Sequence, residues 1–307
     1  MKPKLLVILG PTSSGKSDLA VDLALKFNGE VVSADSRQVY KGMDIGTGKI
    51  TRKEMMGVPH HLLDVVSPKT RFTVTQYVKK AEKAIEKIHK NKKLPIVCGG
   101  TGFYIQALID GITIPEVKPD WALRKKLEKY TAEELFQQLE KLDSERAKNI
   151  DRHNKRRLIR AIEIIIKTKK PISPVKKKQK YNVLIIGIKT EKQELKNKIH
   201  TRLLKRLEQG MAKEIKSLNK SGLSWNRLEE LGLEYRFVAL YLQNKMDYKE
   251  MVEKLQKEIE HYAKRQMTWF KKDKRIIWIH PPKFCGTKLE RIKKTAEMLT
   301  LVKNFIS

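Results

Sequence analysis

Gly10-Pro-Thr-Ser-Ser-Gly-Lys-Ser17 is the stretch from which the fold of this chain can be predicted. It follows the apolar run from Leu5 to Leu9, which is typical of a strand buried on both faces. It precedes a predicted helix from Asp18 to Phe27. The order strand, loop, helix is the context that a phosphate-binding loop of the form G-x-x-x-x-G-K-[ST] requires. A glycine-rich turn without a ligand is the weaker alternative, because this context is correct.

Each part of this segment, called the phosphate loop below, contributes to anion binding. The two glycines let the backbone curl so that its N–H groups point inward, and the following helix N-terminus adds its dipole. Lysine supplies a positive charge, and the last serine hydroxyl can reach a phosphate oxygen or its Mg²⁺. The loop does not distinguish an ATP γ-phosphate from the diphosphate of another substrate. The candidate phosphate-binding residues are Gly10, Pro11, Thr12, Ser13, Ser14, Gly15, Lys16 and Ser17, with Ser17 as the candidate metal ligand.

The charge balance indicates a polyanionic partner. The 307 residues include 66 Lys and Arg against 35 Asp and Glu, a net charge of +31. This excess is larger than solubility requires and favours nucleic acid as the partner. Solvated helix faces in a lysine-rich chain are the alternative explanation.

The same composition excludes several protein classes. The apolar runs have the length of strands and are too short to span a membrane. Cys98 and Cys285 are too few for a disulfide framework or a structural zinc site. We therefore expect a cytoplasmic protein without a membrane partner.

Two further predicted strands end in residues suited to chemistry. The strand from Glu30 leads to Asp35, which is a candidate magnesium ligand or general base, because sites in open α/β sheets lie at the carboxyl ends of strands. A turn or helix cap made by Asp35 or Ser36 is the alternative. The strand from Leu94 to Cys98 leads into Gly99-Gly-Thr-Gly102, which offers a close backbone approach and one hydroxyl.

His60 and His61 follow a proline and could bind a metal. No third ligand is evident nearby, so we favour a hydrogen-bonding role in a loop.

Residues 116–178 are predicted to form an all-helical insertion domain. A capping box at Thr131-Ala-Glu-Glu134 opens one helix, and a longer helix is predicted from Asp143 to Lys167. The longer helix carries Arg152, Arg156, Arg157 and Arg160, which can contact nucleic-acid phosphates or form a solvated face.

Residues 1–115 and 179–307 are predicted to form the core. We expect an α/β fold, a P-loop NTPase-like parallel sheet flanked by helices. The remaining predicted elements are a strand at 182–188, an amphipathic helical region at 192–218, a helical segment at 225–242 interrupted near Gly232, a helix at 248–270, a strand at 275–279 and a helix at 287–306.

Seven stretches along the chain together resemble one enzyme family. They are GPTSSGKS at 10–17, SADSRQVY at 33–40, DIGTGK at 44–49, HHLLD at 60–64, GGTGFY at 99–104, RRLIRAIE at 156–163 and AKRQMTWF at 263–270. Many families share the first, but SADSRQVY followed by GGTGFY is far more specific. The chain resembles the tRNA dimethylallyltransferase (tRNA isopentenyltransferase) family, in the bacterial form that has no zinc-finger tail.

The resemblance implies an activity, which composition does not show. The family transfers a dimethylallyl group from dimethylallyl diphosphate to N6 of the adenosine just 3′ of the anticodon. The phosphate loop, with Mg²⁺, would then hold a diphosphate leaving group, and the basic surface would hold the tRNA anticodon stem-loop.

The resemblance also implies roles for individual residues. Asp35 would accept a proton from the N6 amine, Thr101 would position the substrates, and Arg206, in preference to Arg202, would contact the diphosphate. The residues implied in tRNA binding are Asp35, Ser36, Arg37, Gln38, Thr101, Arg124, Arg156, Arg157, Leu158, Ile159 and Arg160.

One stretch departs from the family pattern. The family has an Ile-Gly-Tyr-Lys/Arg-Glu-like motif where this chain has Leu231-Gly-Leu-Glu-Tyr235, which puts an RNA contact there in question.

Two other functions remain as alternatives. A P-loop small-molecule kinase would need a strand ending in a metal-positioning aspartate, which only the Asp35 strand offers. A non-catalytic RNA-binding ATPase would explain the charge but not Asp35 and the glycine turn. We expect a monomer, because no exposed coiled-coil pattern is present.

Overall fold

The computed structural model describes residues 2–112, 117–172, 178–280 and 288–307, and within the last range it describes side chains from residue 295. Cys285 and residues 173–177 of the predicted insertion lie outside these ranges. The elements are β1 (Lys4–Leu9), α1 (Lys16–Lys26), β2 (Gly29–Ser33), α2 (Arg52–Met55), β3 (His60–His61), α3 (Val74–Lys90), β4 (Leu94–Gly99), α4 (Gly102–Ile109), α5 (Trp121–Leu127), α6 (Ala132–Leu142), α7 (Ser144–Lys148), α8 (Lys155–Thr168), β5 (Asn182–Ile188), α9 (Lys192–Glu208), α10 (Met211–Lys220), α11 (Trp225–Leu231), α12 (Leu233–Leu242), α13 (Tyr248–Phe270), β6 (Ile276–Ile279) and α14 (Lys288–Ile306).

A parallel sheet organises the larger part of the chain. In the described residues it has six strands in the order β3-β2-β4-β1-β5-β6. The first strand is central, with Leu6 opposite Ile96 on one side and Leu184 on the other. Its apolar run is explained by burial on both faces. The predicted α/β fold with a P-loop NTPase-like sheet flanked by helices is confirmed.

Alternate side chains of β1 enter different cores. Leu5, Val7 and Leu9 pack with α3 and α4 on one face of the sheet. Leu6 and Ile8 pack with α1 on the other face. Because β1, β2 and β4 pair in parallel, their carboxyl ends lie at one edge of the sheet, between its two covered faces.

The chain divides into two compact units. The first, called the sheet unit, contains residues 1–109 and 180–307, and the second, called the helical unit, contains residues 110–179.

In the sheet unit, α9 to α13 form their own apolar cluster. The helix Tyr248–Phe270 and the break at Gly232, whose φ is +75°, match the prediction. The predicted region 192–218 is two helices, because Gly210 adopts a left-handed conformation with φ +98° between them.

The helical unit has a core of its own, built mainly from leucine and isoleucine side chains of α5, α6 and α8. The predicted capping box of Thr131 and Glu134 is confirmed. The single helix predicted from Asp143 to Lys167 is wrong. It is divided into α7 and α8, because Asp143 and Asn154 each cap a new helix start through their side chains.

In the described ranges, none of the helices combines the length and the apolar character that crossing a bilayer requires.

Candidate active site

The phosphate loop connects β1 to α1 at the carboxyl edge of the sheet. Gly15 has φ +85° and precedes α1, whose first turn receives no side-chain cap, so its N–H groups can bind an anion. The hydroxyl oxygens of Ser13 and Ser14 are buried and have no hydrogen-bond partner. Ser13 also holds φ +62°, a strained value for a residue other than glycine. Unpaired buried hydroxyls and a strained backbone are consistent with a loop shaped for a ligand.

The Lys16 ammonium is buried beside the loop, where an anionic ligand would stabilise its charge. Its ammonium donates to the Pro11 carbonyl at 3.2 Å. Burial lowers its pKa, and the charge of Arg202 lowers it further, against opposing effects of Cys98 and Asp35. A bound polyanion would offset this cost by supplying the missing negative charge.

Asp35 lies two residues after the end of β2 and shapes a turn, called the 35–38 turn. Its Oδ1 accepts the backbone N–H of Arg37 at 2.8 Å and of Gln38 at 3.2 Å. The turn-capping role that the sequence left open is therefore present. These two bonds use one carboxylate oxygen, so they fix the orientation of the carboxylate.

Thr101 is brought against this turn by the close approach of β2 and β4. Its Oγ1 accepts the Ser36 N–H at 3.0 Å, and its own N–H donates to the Ala34 carbonyl at 3.1 Å. A Cβ on Gly99 would lie 2.2 Å from the Ala34 oxygen, so only glycine permits this approach. The structure thus places the two predicted catalytic side chains, Asp35 and Thr101, on adjacent, hydrogen-bonded turns.

The other side chains of the 35–38 turn hold neighbouring loops. Arg37 donates through Nε to the Leu231 carbonyl at 2.7 Å. Gln38 donates to the carbonyl of Gly48 at 3.3 Å. All four residues of the turn are partly buried, so part of each remains accessible at the carboxyl edge of the sheet.

The glycine-rich segment 44–49 is anchored by a carboxylate that the sequence analysis did not identify. Glu214 of α10 accepts three successive backbone N–H groups, from Asp44 at 2.8 Å, Ile45 at 2.7 Å and Gly46 at 3.0 Å. The Tyr235 hydroxyl donates to the same carboxylate at 2.8 Å. The stretch that departs from the family pattern therefore has a defined role in supporting this segment.

Arg202 and Arg206 of α9 both face segment 44–49, near Gly48. Arg206 is buried and committed, since its Nη1 donates to the Gly46 carbonyl at 3.0 Å and to Glu234 at 2.9 Å. Arg202 is exposed, and its charge acts on Lys16 of the phosphate loop. The geometry therefore favours Arg202 for an anion contact, whereas the sequence analysis preferred Arg206.

A recess of about 270 Å³, including its open mouth, lies beside the phosphate loop. Polar groups are contributed by Ser17, Ser33 and Gln38, and Cys98 closes one side. Burial raises the pKa of the Cys98 thiol to about 12, so this cysteine is not a nucleophile.

The histidine pair does not lie in a loop as predicted. It forms β3, because His60 and His61 pair with Val31 and Val32 at the sheet edge. The preferred hydrogen-bonding role is confirmed, since His61 contacts the buried Glu30 carboxylate at 2.7 Å and His60 contacts the Val58 carbonyl at 2.9 Å.

The arginines of the helical unit fall into two groups. Arg124 and Arg160 both donate to the fully buried Glu163 carboxylate, Arg124 through a bidentate pair at 2.9 and 2.7 Å. Arg156 and Arg157 are exposed, and their side chains make no ion pair within the described residues. The first group therefore stabilises the unit, and the second is available to a partner.

Leu158 and Ile159 were also predicted to bind RNA. Their side chains are buried in the core of the helical unit. Any RNA contact at these two positions would therefore involve backbone atoms.

Comparison with known proteins identifies the family. The family model described as IPP transferase matches residues 38–273. A tRNA dimethylallyltransferase of Acetivibrio thermocellus is 41% identical over 288 residues, covering 91% of this chain and 92% of that protein. The chain belongs to the tRNA dimethylallyltransferase (IPP transferase) family.

Solved structures agree with this assignment. The crystal structure of the full-length tRNA isopentenylpyrophosphate transferase from Bacillus halodurans has a TM-score of 0.74 and 35% identity, covering 99% of this chain and 97% of that one. A eukaryotic dimethylallyltransferase acting on tRNA has a TM-score of 0.75 and 30% identity, covering 87% of this chain and 70% of that one. The predicted resemblance to this family is confirmed.

The described residues offer few ligands for a magnesium ion. No group of three or more His, Cys, Asp or Glu side chains that could hold a metal is present in the ranges that the structure describes. The Ser17 hydroxyl borders the recess beside a loop whose buried hydroxyls lack partners. This donor set suits an ion that is bound mainly by substrate phosphates and water.

Gln266 is a second residue that the sequence analysis did not assign to the site. It lies in the AKRQMTWF stretch, which was recognised as part of the family pattern. Its buried amide contacts both the phosphate loop and the turn of residues 99–102, and no local sequence signal indicates contacts across 254 and 166 residues.

Proposed function

We propose that this chain transfers the dimethylallyl group of dimethylallyl diphosphate to N6 of the adenosine at position 37 of tRNA, 3′ of the anticodon, and releases diphosphate. One observation carries this proposal together with family membership. An anion-binding loop with unpaired buried hydroxyls shares the carboxyl edge of the sheet with a fixed carboxylate, Asp35, and a hydroxyl, Thr101. A donor and an acceptor can therefore meet there.

The donor diphosphate is held by the phosphate loop. Backbone N–H groups, the helix N-terminus and Lys16 contact its oxygens, and Arg202 adds a second positive charge. Ser17 would hold Mg²⁺ together with the diphosphate, and the ion would neutralise charge that develops on the leaving group. The protein groups by themselves favour departure of diphosphate, because they are oriented before the carbon–oxygen bond breaks.

The acceptor adenine is activated by Asp35. As the N6 amine attacks the allylic carbon, the carboxylate accepts its proton, and Thr101 positions the reactants. The two N–H donors on Oδ1 keep the carboxylate in one orientation during this step. The adenine must leave its stack to reach this depth, at a cost of a few kcal/mol.

The tRNA anticodon stem-loop is the proposed RNA partner. The net charge of +31 suits a polyanion, and the exposed Arg156 and Arg157 are suited to phosphate contacts. Arg124 and Arg160 contribute indirectly, because their ion pairs with Glu163 stabilise α8, the helix that carries Arg156 and Arg157. We also propose that the enzyme works as a monomer in the cytoplasm.

A transfer assay tests the proposal. The chain is incubated with labelled dimethylallyl diphosphate, Mg²⁺ and unmodified tRNA, and a parallel reaction contains labelled ATP instead of the donor. Label in the tRNA at the adenosine 3′ of the anticodon is the expected result. ATP hydrolysis without prenyl transfer would support a kinase or an RNA-binding ATPase and would refute the proposal. Omitting Mg²⁺ should reduce transfer strongly.

A further inference from the structure

We propose that Gln266 is a positioning residue that sets the distance between the diphosphate of the donor and the groups that activate the acceptor. This inference rests on the proposed function and adds to it a residue outside the predicted site. The side chain comes from α13, which is far from both loops in the sequence.

The Gln266 amide makes one hydrogen bond to each of two loops. Its Oε1 accepts the backbone N–H of Thr12 in the phosphate loop at 2.9 Å. Its Nε2 donates to the backbone carbonyl of Gly100 at 2.8 Å. The side chain is only 6% exposed, so water does not readily replace either bond.

The end of α13 lies close to two glycines of the 99–102 turn. A Cβ on Gly100 would lie 2.3 Å from Gln266 Nε2, and a Cβ on Gly102 would lie 2.4 Å from Trp269 Cδ1 on the same helix. The end of α13 therefore packs directly on the backbone of the 99–102 turn. Displacement of α13 would move this turn relative to the phosphate loop.

Further hydrogen bonds continue from this turn to the proposed base. Thr101, the next residue after Gly100, binds Ser36 and Ala34, and Asp35 lies between those two residues in the chain. One hydrogen-bonded path from Thr12 to the Asp35 turn therefore runs through this amide, next to the strand pairing of Leu9 with Gly99. Effects of this kind are large in enzymes, since a displacement of about 1 Å between reacting groups can cost about 10²-fold in rate.

Gln266→Met tests the proposal against Gln256→Met as the matched control. Methionine keeps the length of the side chain but removes both hydrogen bonds. Gln256 lies on the same helix, where its amide contacts His200 and Glu260 and neither loop. We expect kcat for prenyl transfer to fall about 10–100-fold in Gln266→Met, with tRNA affinity within about twofold of wild type, and no such loss in Gln256→Met. A kcat of Gln266→Met equal to that of the control would overturn the proposal.

Gln266→Glu provides a second test, in which the effect of the substitution on kcat is followed as a function of pH. Its carboxyl group, when protonated, can still accept from Thr12 and donate to Gly100, but the ionised form cannot donate. Burial raises the pKa of such a group, which brings its titration toward neutral pH. The ratio of its kcat to that of wild type should therefore rise about fivefold or more as the pH falls from 8.5 to 6.

A kcat ratio that does not change over this pH range would overturn the proposal. This measurement tests the role of Gln266 even if Gln266→Met does not fold. Prenyl transfer by the wild-type chain is measured in the same experiment. Its absence would refute the proposed function itself, which separates that failure from a failure of the role of Gln266.

Discussion

Asp35→Asn separates the two roles that the structure gives to one carboxylate. Oδ1 accepts the N–H groups of Arg37 and Gln38, and an asparagine oxygen can accept the same two bonds. The amide cannot accept the N6 proton as a carboxylate does. The 35–38 turn should therefore persist while the proposed base is lost.

The expected magnitudes follow from these contacts. Loss of a general base costs about 10²–10⁴-fold in rate, which corresponds to about 2.7–5.5 kcal/mol in the activation barrier. The free energy of unfolding of Asp35→Asn should stay within about 0.5 kcal/mol of wild type. Asp35→Ala also removes both turn bonds, and at about 0.5–1.5 kcal/mol each this variant should lose about 1–3 kcal/mol of stability.

Single-turnover transfer with saturating donor and tRNA measures the chemical step, and urea unfolding and tRNA binding are measured on the same preparations. The alanine variant is the control for damage to the turn. If Asp35→Asn transfers the prenyl group within tenfold of the wild-type rate while Asp35→Ala does not, the carboxylate acts only as a turn cap and another group removes the proton.

Four further variants test the remaining assignments. Arg156→Ala combined with Arg157→Ala should weaken tRNA binding and reduce the slope of log Kd against log salt by about 1–2, and an unchanged slope would place the RNA elsewhere. Arg202→Ala should raise the donor KM about tenfold or more with an unchanged Tm, whereas Arg206→Ala should lower the Tm, because it leaves the Glu234 carboxylate without its arginine; equal Tm values would contradict this division. Burial acts to raise the pKa of Glu163, but hydrogen bonds from Arg124, the Asp120 backbone and Arg160 outweigh it and hold the pKa below its usual value of 4.5. Glu163→Gln should therefore lower the free energy of unfolding by about 1.5–3 kcal/mol at pH 7. This difference from wild type should disappear as the pH falls from 4.5 through the lower pKa of the folded state. Denaturant unfolding at several pH values measures it, and a difference that is the same at every pH would contradict the assignment.

Local patterns were sufficient to predict most of the sheet unit. The apolar run at Leu5–Leu9 has no polar alternation, and it is indeed a central strand paired on both sides. The helix Tyr248–Phe270 was predicted with the bounds that the structure shows, because apolar residues recur at helical spacing. In the structure Asp247 caps its start.

The wrong secondary-structure predictions fall on short polar segments. Asp143 and Asn154 each begin a new helix, and the sequence analysis joined the two helices into one. His60 and His61 form a strand only because Val31 and Val32 lie beside them, which is a contact across about 30 residues. Periodicity reports local geometry and contains no information on such pairing.

The roles of the arginines could not be predicted for a related reason. The resemblance identified Arg124, Arg160 and Arg206 as substrate contacts, but each has a carboxylate partner in the structure, Glu163 for the first two and Glu234 for the third. An arginine side chain that is paired with a carboxylate has less capacity to bind a phosphate, because a new contact must first break the existing one. The exposed arginines Arg156, Arg157 and Arg202 do not bear this cost. We therefore expect that, on α8 and α9, the arginines without a carboxylate partner make the substrate contacts that the family pattern predicts.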